Sequence, residues 1–327
     1  AVFALRSICP RRGLPVDRTC VLAPFAGAPR FRLTVSKGIV METALACRSC
    51  FERQIDSLAD HLLPHDAMQR DRLRQVCLAA LADSVSSSPP PETAARIYAA
   101  AADFSGCADP FAAHKRAANA KALALLPELR RRVEKAEDPL LTCLRVSIIA
   151  NYNDVGVART FDWESALREE REQEQFPGLP VLRTRLESGP RKICILGDNA
   201  GEIAVDILLV EHLQALGHEV VYAVRDRPIL NDATLEDAKA VGLDTVCRVV
   251  SSGVDSPGTL LHRCSAGFLQ ELEQADIVVS KGQGNFEALH GRLYGVFFAF
   301  KVKCPVVADL AGLPEQTSVF VFSEAAS

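Results

Sequence analysis

Long apolar runs are missing from this 327-residue chain. A membrane helix needs about 18–20 consecutive apolar residues, and the longest candidate, Leu293 to Phe300, reads as a buried strand. No excess of basic charge is present either: 37 Lys and Arg stand against 41 Asp and Glu, a net charge of −4. A nucleic-acid-binding domain normally shows a basic face. The expected partners therefore exclude nucleic acid and membrane, whereas small anionic substrates stay open. The seven histidines form no H-x-x-x-H or H-E-x-x-H pattern. The 11 cysteines are scattered, unlike those of a short disulfide scaffold, and read as reduced thiols. Cys47-Arg-Ser-Cys50 is a lone C-x-x-C with no second pair at finger spacing, so a structural role is favoured over a redox one. A cytoplasmic location is expected.

Residues 1 to 40 hold six Arg and one Lys but only Asp17 as an acid. That composition suits a transit peptide. An upstream extension, with Met41 as the true start, is the preferred reading, and the segment is set apart from the fold.

From Glu42 to about Asp138 the spacing predicts helices. Ile55, Leu58, Ala59, Leu62 and Leu63 share one helical face, and Leu73, Val76, Cys77, Ala80 and Leu81 repeat the pattern. Pro91, Asp109-Pro110 and Asp138-Pro139 mark helix starts. Leu140 to Ala150 reads as an apolar helix and Phe161 to Gln175 as a charged one, with a hinge at Phe176-Pro-Gly-Leu-Pro180. Near Pro190 the pattern changes. Short β runs at 192–196, 219–224, 246–250, 276–280, 296–300 and 305–308 alternate with helical stretches. That alternation predicts parallel βαβ units in a three-layer α/β/α domain with a mostly parallel sheet. The expected divisions are an extension at 1–40, a helical domain at 41–185 and an α/β catalytic domain at 186–327.

Ligands in such sheets sit beyond the carboxyl ends of the strands, and the polar clusters fall there. Gly197-Asp-Asn-Ala-Gly-Glu202 follows the first strand and Asn231-Asp-Ala-Thr234 the second. Asp198, Asn199 and Asp232 offer hard oxygen donors suited to Mg²⁺ or Mn²⁺ and tolerant of Co²⁺ or Ni²⁺. Asp and Asn before helices are also favoured N-caps, and spacing alone leaves the two readings about even. Lys281-Gly-Gln-Gly-Asn285 follows a strand and opens a helix, a geometry open to anions. It lacks the third glycine of a dinucleotide site. Lys301 and Lys303 sit in an apolar stretch; one could neutralise a phosphate, or both could be surface residues.

Five segments together resemble the damage-control phosphatases, in the order that family shows. They are Gly197-Asp-Asn-Ala-Gly-Glu-Ile203, Val224-Arg-Asp-Arg-Pro-Ile-Leu-Asn-Asp-Ala-Thr234, Gly253-Val-Asp-Ser-Pro-Gly-Thr259, Ser280-Lys-Gly-Gln-Gly-Asn-Phe-Glu287 and Lys301-Val-Lys-Cys-Pro305. Cys47-Arg-Ser-Cys50 resembles the smaller, prokaryotic-type branch. The resemblance runs from about Met41 to Phe322. It implies a helical domain packed on an α/β/α domain, and hydrolysis of phosphomonoesters of small, sometimes damaged, metabolites. It implies a divalent metal (Mn, Co, Ni or Mg) on Asp198, Asn199 and Asp232, with Asp198 and Lys301 in catalysis. Asn151, Asp154, Glu202, Lys281, Gly282, Gly284 and Asn285 would then bind the substrate or its phosphate. Ala150, Val155 and Asp226-Arg227 depart from the family pattern, which bears on substrate shape more than on the metal. Two rivals are an S-adenosylmethionine-dependent carboxyl methyltransferase, whose glycine-rich first loop is replaced here by an acid and an amide, and a non-catalytic phosphometabolite-binding protein.

Overall fold

The computed structural model describes residues 40–84, 87–152, 168 and 174–324. Asp154 and most of the expected 161–175 helix lie outside them.

Three helices come first: α1 (Leu45–Leu62), α2 (Ala67–Ala82) and α3 (Pro90–Ser105). Asp66 caps α2 by accepting from the Gln69 amide at 3.0 Å, and Pro90 and Pro91 open α3, where missing N–H groups cost nothing. Their apolar faces meet around Phe51, Ile55, Leu58, Leu73, Cys77 and Ile97, a core separate from that of the sheet.

Next come α4 (Ala112–Lys135) and α5 (Pro139–Tyr152), then strand β1 (Glu174–Gln175) and helix α6 (Leu179–Glu187). The remainder alternates: β2 (Lys192–Leu196), α7 (Glu202–Ala215), β3 (Glu219–Val224), α8 (Leu235–Ala240), β4 (Arg248–Ser251), α9 (Ala266–Gln274) and β5 (Ile277–Lys281). It closes with α10 (Gln283–Leu289), β6 (Val296–Lys301), α11 (Pro305–Ala311) and β7 (Ser318–Phe322). The sheet order is β1-β7-β6-β5-β2-β3-β4, parallel throughout except for the antiparallel β6–β7 pair. The expected three-layer α/β/α architecture is therefore the one observed.

Two local readings change. Pro305-Val-Val-Ala308 is helical, with Pro at its start and Gly312 in the left-handed conformation at its end. The last strand is instead Ser318–Phe322, which hydrogen-bonds along β6. A four-residue apolar run does not itself distinguish strand from helix. The hydrophobic core also does not divide at residue 185. Leu129, Val133, Leu144, Ile148, Leu182 and Leu186 share one core with the sheet residues Ile193, Ile195 and Val220. Helices α4 to α7 thus cover one face of the sheet, and α9 to α11 cover the other. Helix α7 is buried on nearly all sides, which is why its sequence is apolar almost all round.

Candidate functional site

Strand β2 is flanked by β3 on one side and β5 on the other. The chain steps from β2 to β3, then crosses back from β4 to β5, so the strand order reverses beside β2. A crevice at such a reversal is where open α/β sheets bind ligands. Leu196 ends β2 in register with Ala223 of β3 and Ser280 of β5, so the loops after all three strands meet.

That convergence joins Asp198, Asn199 and Asp232. The Ala233 amide donates to the Asp198 carbonyl at 2.7 Å, and the Ala200 amide to the Asn231 carbonyl at 2.9 Å. All three side-chain positions border one cavity of about 830 Å³. None of the three caps a helix. Gly201 precedes α7 without a side-chain cap, and Thr234 caps α8 in a box with Asp237. Asp232 instead accepts from Arg225 Nε at 2.7 Å, and Arg225 Nη2 reaches Asp198 Oδ1 at 3.4 Å.

Glu202 and Asp206 stand four residues apart on α7 and so share one face. Both turn toward Lys281 of β5. The Lys281 ammonium bonds Glu202, and it lies 2.9 and 3.0 Å from the two Asp206 oxygens. Tyr222 donates to Asp206 at 2.6 Å. Asn151, at the end of α5, links the two groups. Its Nδ2 donates to Asp198 Oδ2 at 2.8 Å and to Glu202 Oε2 at 2.7 Å. Its Oδ1 faces Lys303 Nζ at 3.4 Å.

The floor is thus a buried network of four carboxylates (Asp198, Glu202, Asp206, Asp232) and two cations (Arg225, Lys281). Burial pushes both Asp232 and Glu202 up to about 7, only partly opposed by Arg225 and Lys281 respectively. Ionised, the network carries two negative charges more than its own cations balance. Among the described residues no three His, Cys, Asp or Glu side chains form a metal cage. The candidate donors are two carboxylates and one amide. The charge excess and hard oxygen chemistry fit one divalent cation at Asp198, Asn199 and Asp232.

Gly282 makes this packing possible. Its φ of +79° is disfavoured for L side chains, and a Cβ there would stand 1.9 Å from Asp198 Oδ2. Gly284 borders the cavity, and its own Cβ would meet the Pro257 carbonyl at 1.9 Å.

Several expected site residues hold other positions. The side chain of Lys281 is fully buried against Glu202 and Asp206 and does not line the cavity. Asn285 is also buried. Its Oδ1 accepts from Thr259 N and Oγ1 and from Arg225 Nη1, while its Nδ2 donates to the Gly197 and Lys281 carbonyls. It ties loops together, leaving no polar atom for a substrate. Glu202 supports Asn151 and the Asn199 amide from beneath. Lys301 ends β6 in a buried position away from the cavity lining, and Lys303 lies in that lining instead. Strand β6 is buried on both faces, whereas Lys303 follows it in the loop before α11.

Sequence reasoning did not single out Arg225, Asp206 or Glu287. Asp206 had a legible signal, a lone acid inside the apolar run Ile203–Leu209. The thiols of Cys47, Cys50 and Cys304 are free and border the cavity, and burial raises the pKa of Cys47 and Cys304.

Glu287 also borders the cavity, and burial pushes it up to about 7 against the Gln283 hydrogen bond. An acid raised on folding takes up protons between its unfolded pKa, about 4.3, and its folded one. Its contribution is intact below the first value and is lost as pH rises through about 7. In metal-free protein, Glu287→Gln is expected to flatten the fall in stability between pH 5 and 8, by about 1–3 kcal/mol. Urea melts at both pH values check this, and parallel slopes for variant and wild type would contradict it.

The family model for the damage-control phosphatase ARMT1-like domain matches residues 43–319. A damage-control phosphatase of Archaeoglobus fulgidus is 34% identical over 238 residues, covering 70% of this chain and 82% of its own. A damage-control phosphatase of Pyrococcus horikoshii is 30% identical, covering 84% and 96% respectively. The crystal structure of a DUF89 family protein from Pyrococcus horikoshii superposes with a TM-score of 0.79 at 27% identity. It covers 87% of this chain and all of that one.

Proposed function

The chain belongs to the damage-control phosphatase ARMT1-like family, and from that premise we propose that it hydrolyses phosphomonoesters of small metabolites with a divalent cation held by Asp198, Asn199 and Asp232. The observation that carries the reading is the charge excess at the cavity floor. Four buried carboxylates against two buried cations is a costly arrangement unless a cation completes it or protons neutralise Asp232 and Glu202. When bound, a divalent cation supplies charge that polarises a phosphoryl oxygen.

The chain's own groups do the rest. Asn151 and Arg225 hold Asp198 from two sides, so its carboxylate keeps one orientation. Lys303 places an ammonium beside Asn151, where it can neutralise phosphoryl oxygens. The amides of Gln283 and Gly284 open α10, so the helix itself does not consume them. They add donors toward the same oxygens. Residues of α1 and α3 complete the cavity lining and limit water.

The reading is tested by phosphate release from p-nitrophenyl phosphate with Mn²⁺, Co²⁺, Ni²⁺ or Mg²⁺, against the same protein in chelator. At least one ion is expected to raise turnover by more than about 100-fold. The same ion should raise the melting temperature, which reads binding without activity. Equal turnover in chelator would overturn the metal assignment. Thermal stabilisation by S-adenosylmethionine, without phosphate release, would favour the methyltransferase alternative.

A further inference from the structure

The cavity, about 830 Å³, is larger than a phosphoryl group needs, and its lining holds a second cation besides Lys303. Arg53 of α1 borders the same cavity as the carboxylate floor, and among the described residues Arg53 and Lys303 are the only Lys or Arg in its lining. Lys303 belongs to the phosphoryl end, since its ammonium faces Asn151 beside Asp198.

Arg53 has no ion-pair partner among the described residues. One helical turn away on either side stand Ser49, Cys50, Asp56 and Ser57. Asp56, the one acid among them, pairs with Arg74 of α2 at 2.9 Å. Neighbouring arginines are paired in turn: Arg48 with Glu52, and Arg70 with Asp60. An unpaired guanidinium in a cavity wall presents a rigid fork of donors that matches a carboxylate or phosphate. The rest of the lining includes an apolar group, Phe51, Pro90, Pro91, Ala94 and Leu230.

We infer that Arg53 selects phosphomonoesters carrying a second anionic group, a carboxylate or another phosphate, at the end of the molecule away from the scissile ester. This inference rests on the phosphatase reading. The scissile phosphate lies on the floor beside Lys303, the carbon body lies along the apolar wall, and the second anion meets Arg53. The counter-charge that Arg53 lacks among the described residues comes from the substrate.

The test uses two matched pairs with the metal-loaded protein: glycerol 3-phosphate against 3-phosphoglycerate, and ribose 5-phosphate against ribose 1,5-bisphosphate. Wild type is expected to show a KM about tenfold lower for the two-anion member of at least one pair. The pair that shows it says whether a carboxylate or a phosphate is preferred. Arg53→Gln should raise that KM about tenfold while kcat stays close to wild type, and Arg53→Lys should recover part of the loss. A KM ratio equal in wild type and Arg53→Gln overturns the inference and leaves the phosphatase reading standing. Absence of phosphate release from all four compounds, and from p-nitrophenyl phosphate, overturns both.

Discussion

Asp198→Asn is expected to lower turnover of p-nitrophenyl phosphate by about 10³-fold or more while leaving the fold at least as stable as wild type. The two halves of that result have one cause. Fully ionised, the network around Asp198 carries two negative charges beyond its cations, so removing one relieves repulsion in the metal-free protein. Asparagine is nearly isosteric and can still accept from Asn151 through its oxygen. A cation that relied on that charge is held more weakly, and the thermal shift it produces should shrink or vanish. Loss of several kcal/mol of transition-state stabilisation corresponds to about three orders of magnitude. The measurements are kcat at saturating metal and the melting temperature with and without metal. Turnover within tenfold of wild type would remove Asp198 from the chemistry. A large drop in metal-free melting temperature would mean that it acts as a structural anchor instead.

Lys281→Met should have the largest effect on stability. The ammonium is fully buried, and although burial works against its charge, Asp206 and Glu202 keep it protonated. Methionine fills similar space but leaves two carboxylates buried without their cation. Removing one partner of a buried ion pair typically costs about 3–5 kcal/mol. Adding Asp206→Asn to Lys281→Met should recover a substantial part, because it removes one of the stranded charges. Denaturant midpoints of the single and double variants check both statements. A midpoint within error of wild type for Lys281→Met would show that the lysine is dispensable to the network. The activity of Lys281→Met should also fall, since Glu202 positions Asn151, which in turn holds Asp198.

These expectations depend on contacts that differ greatly in sequence range, and range decided what the sequence could show. Asp198, Asn199 and Asp232 were legible because each follows a short β run, and parallel strands place such loops at one edge. The choice between metal ligand and helix cap was not legible. Only the capping side of it was decided by tertiary contacts: Thr234, not Asp232, caps α8, and Arg225 holds Asp232. Lys281 looked like a phosphate ligand because it opens a glycine-rich loop. Its last-in-strand position, however, sends its side chain toward α7, whose acids at 202 and 206 claim it. Lys301 and Lys303 are separated by one residue, yet one is enclosed by the sheet's covering layers and the other borders the cavity.

The sequence by itself determined the local rules: which stretches alternate as βα units, where glycine had to replace a side chain, and which loops would gather at the carboxyl ends of the strands. Periodicity and turn chemistry act over a few residues, so they can be read along the chain. Tertiary structure alone decided the pairing of charges and which helices complete the cavity around them. Asn151 meets Asp198 across 47 residues and Lys303 across 152, and Arg53 borders the same cavity from the first helix. Electrostatic energy depends on distance and burial in space, and those distances exist only once α1, α5, α7 and the sheet have packed together.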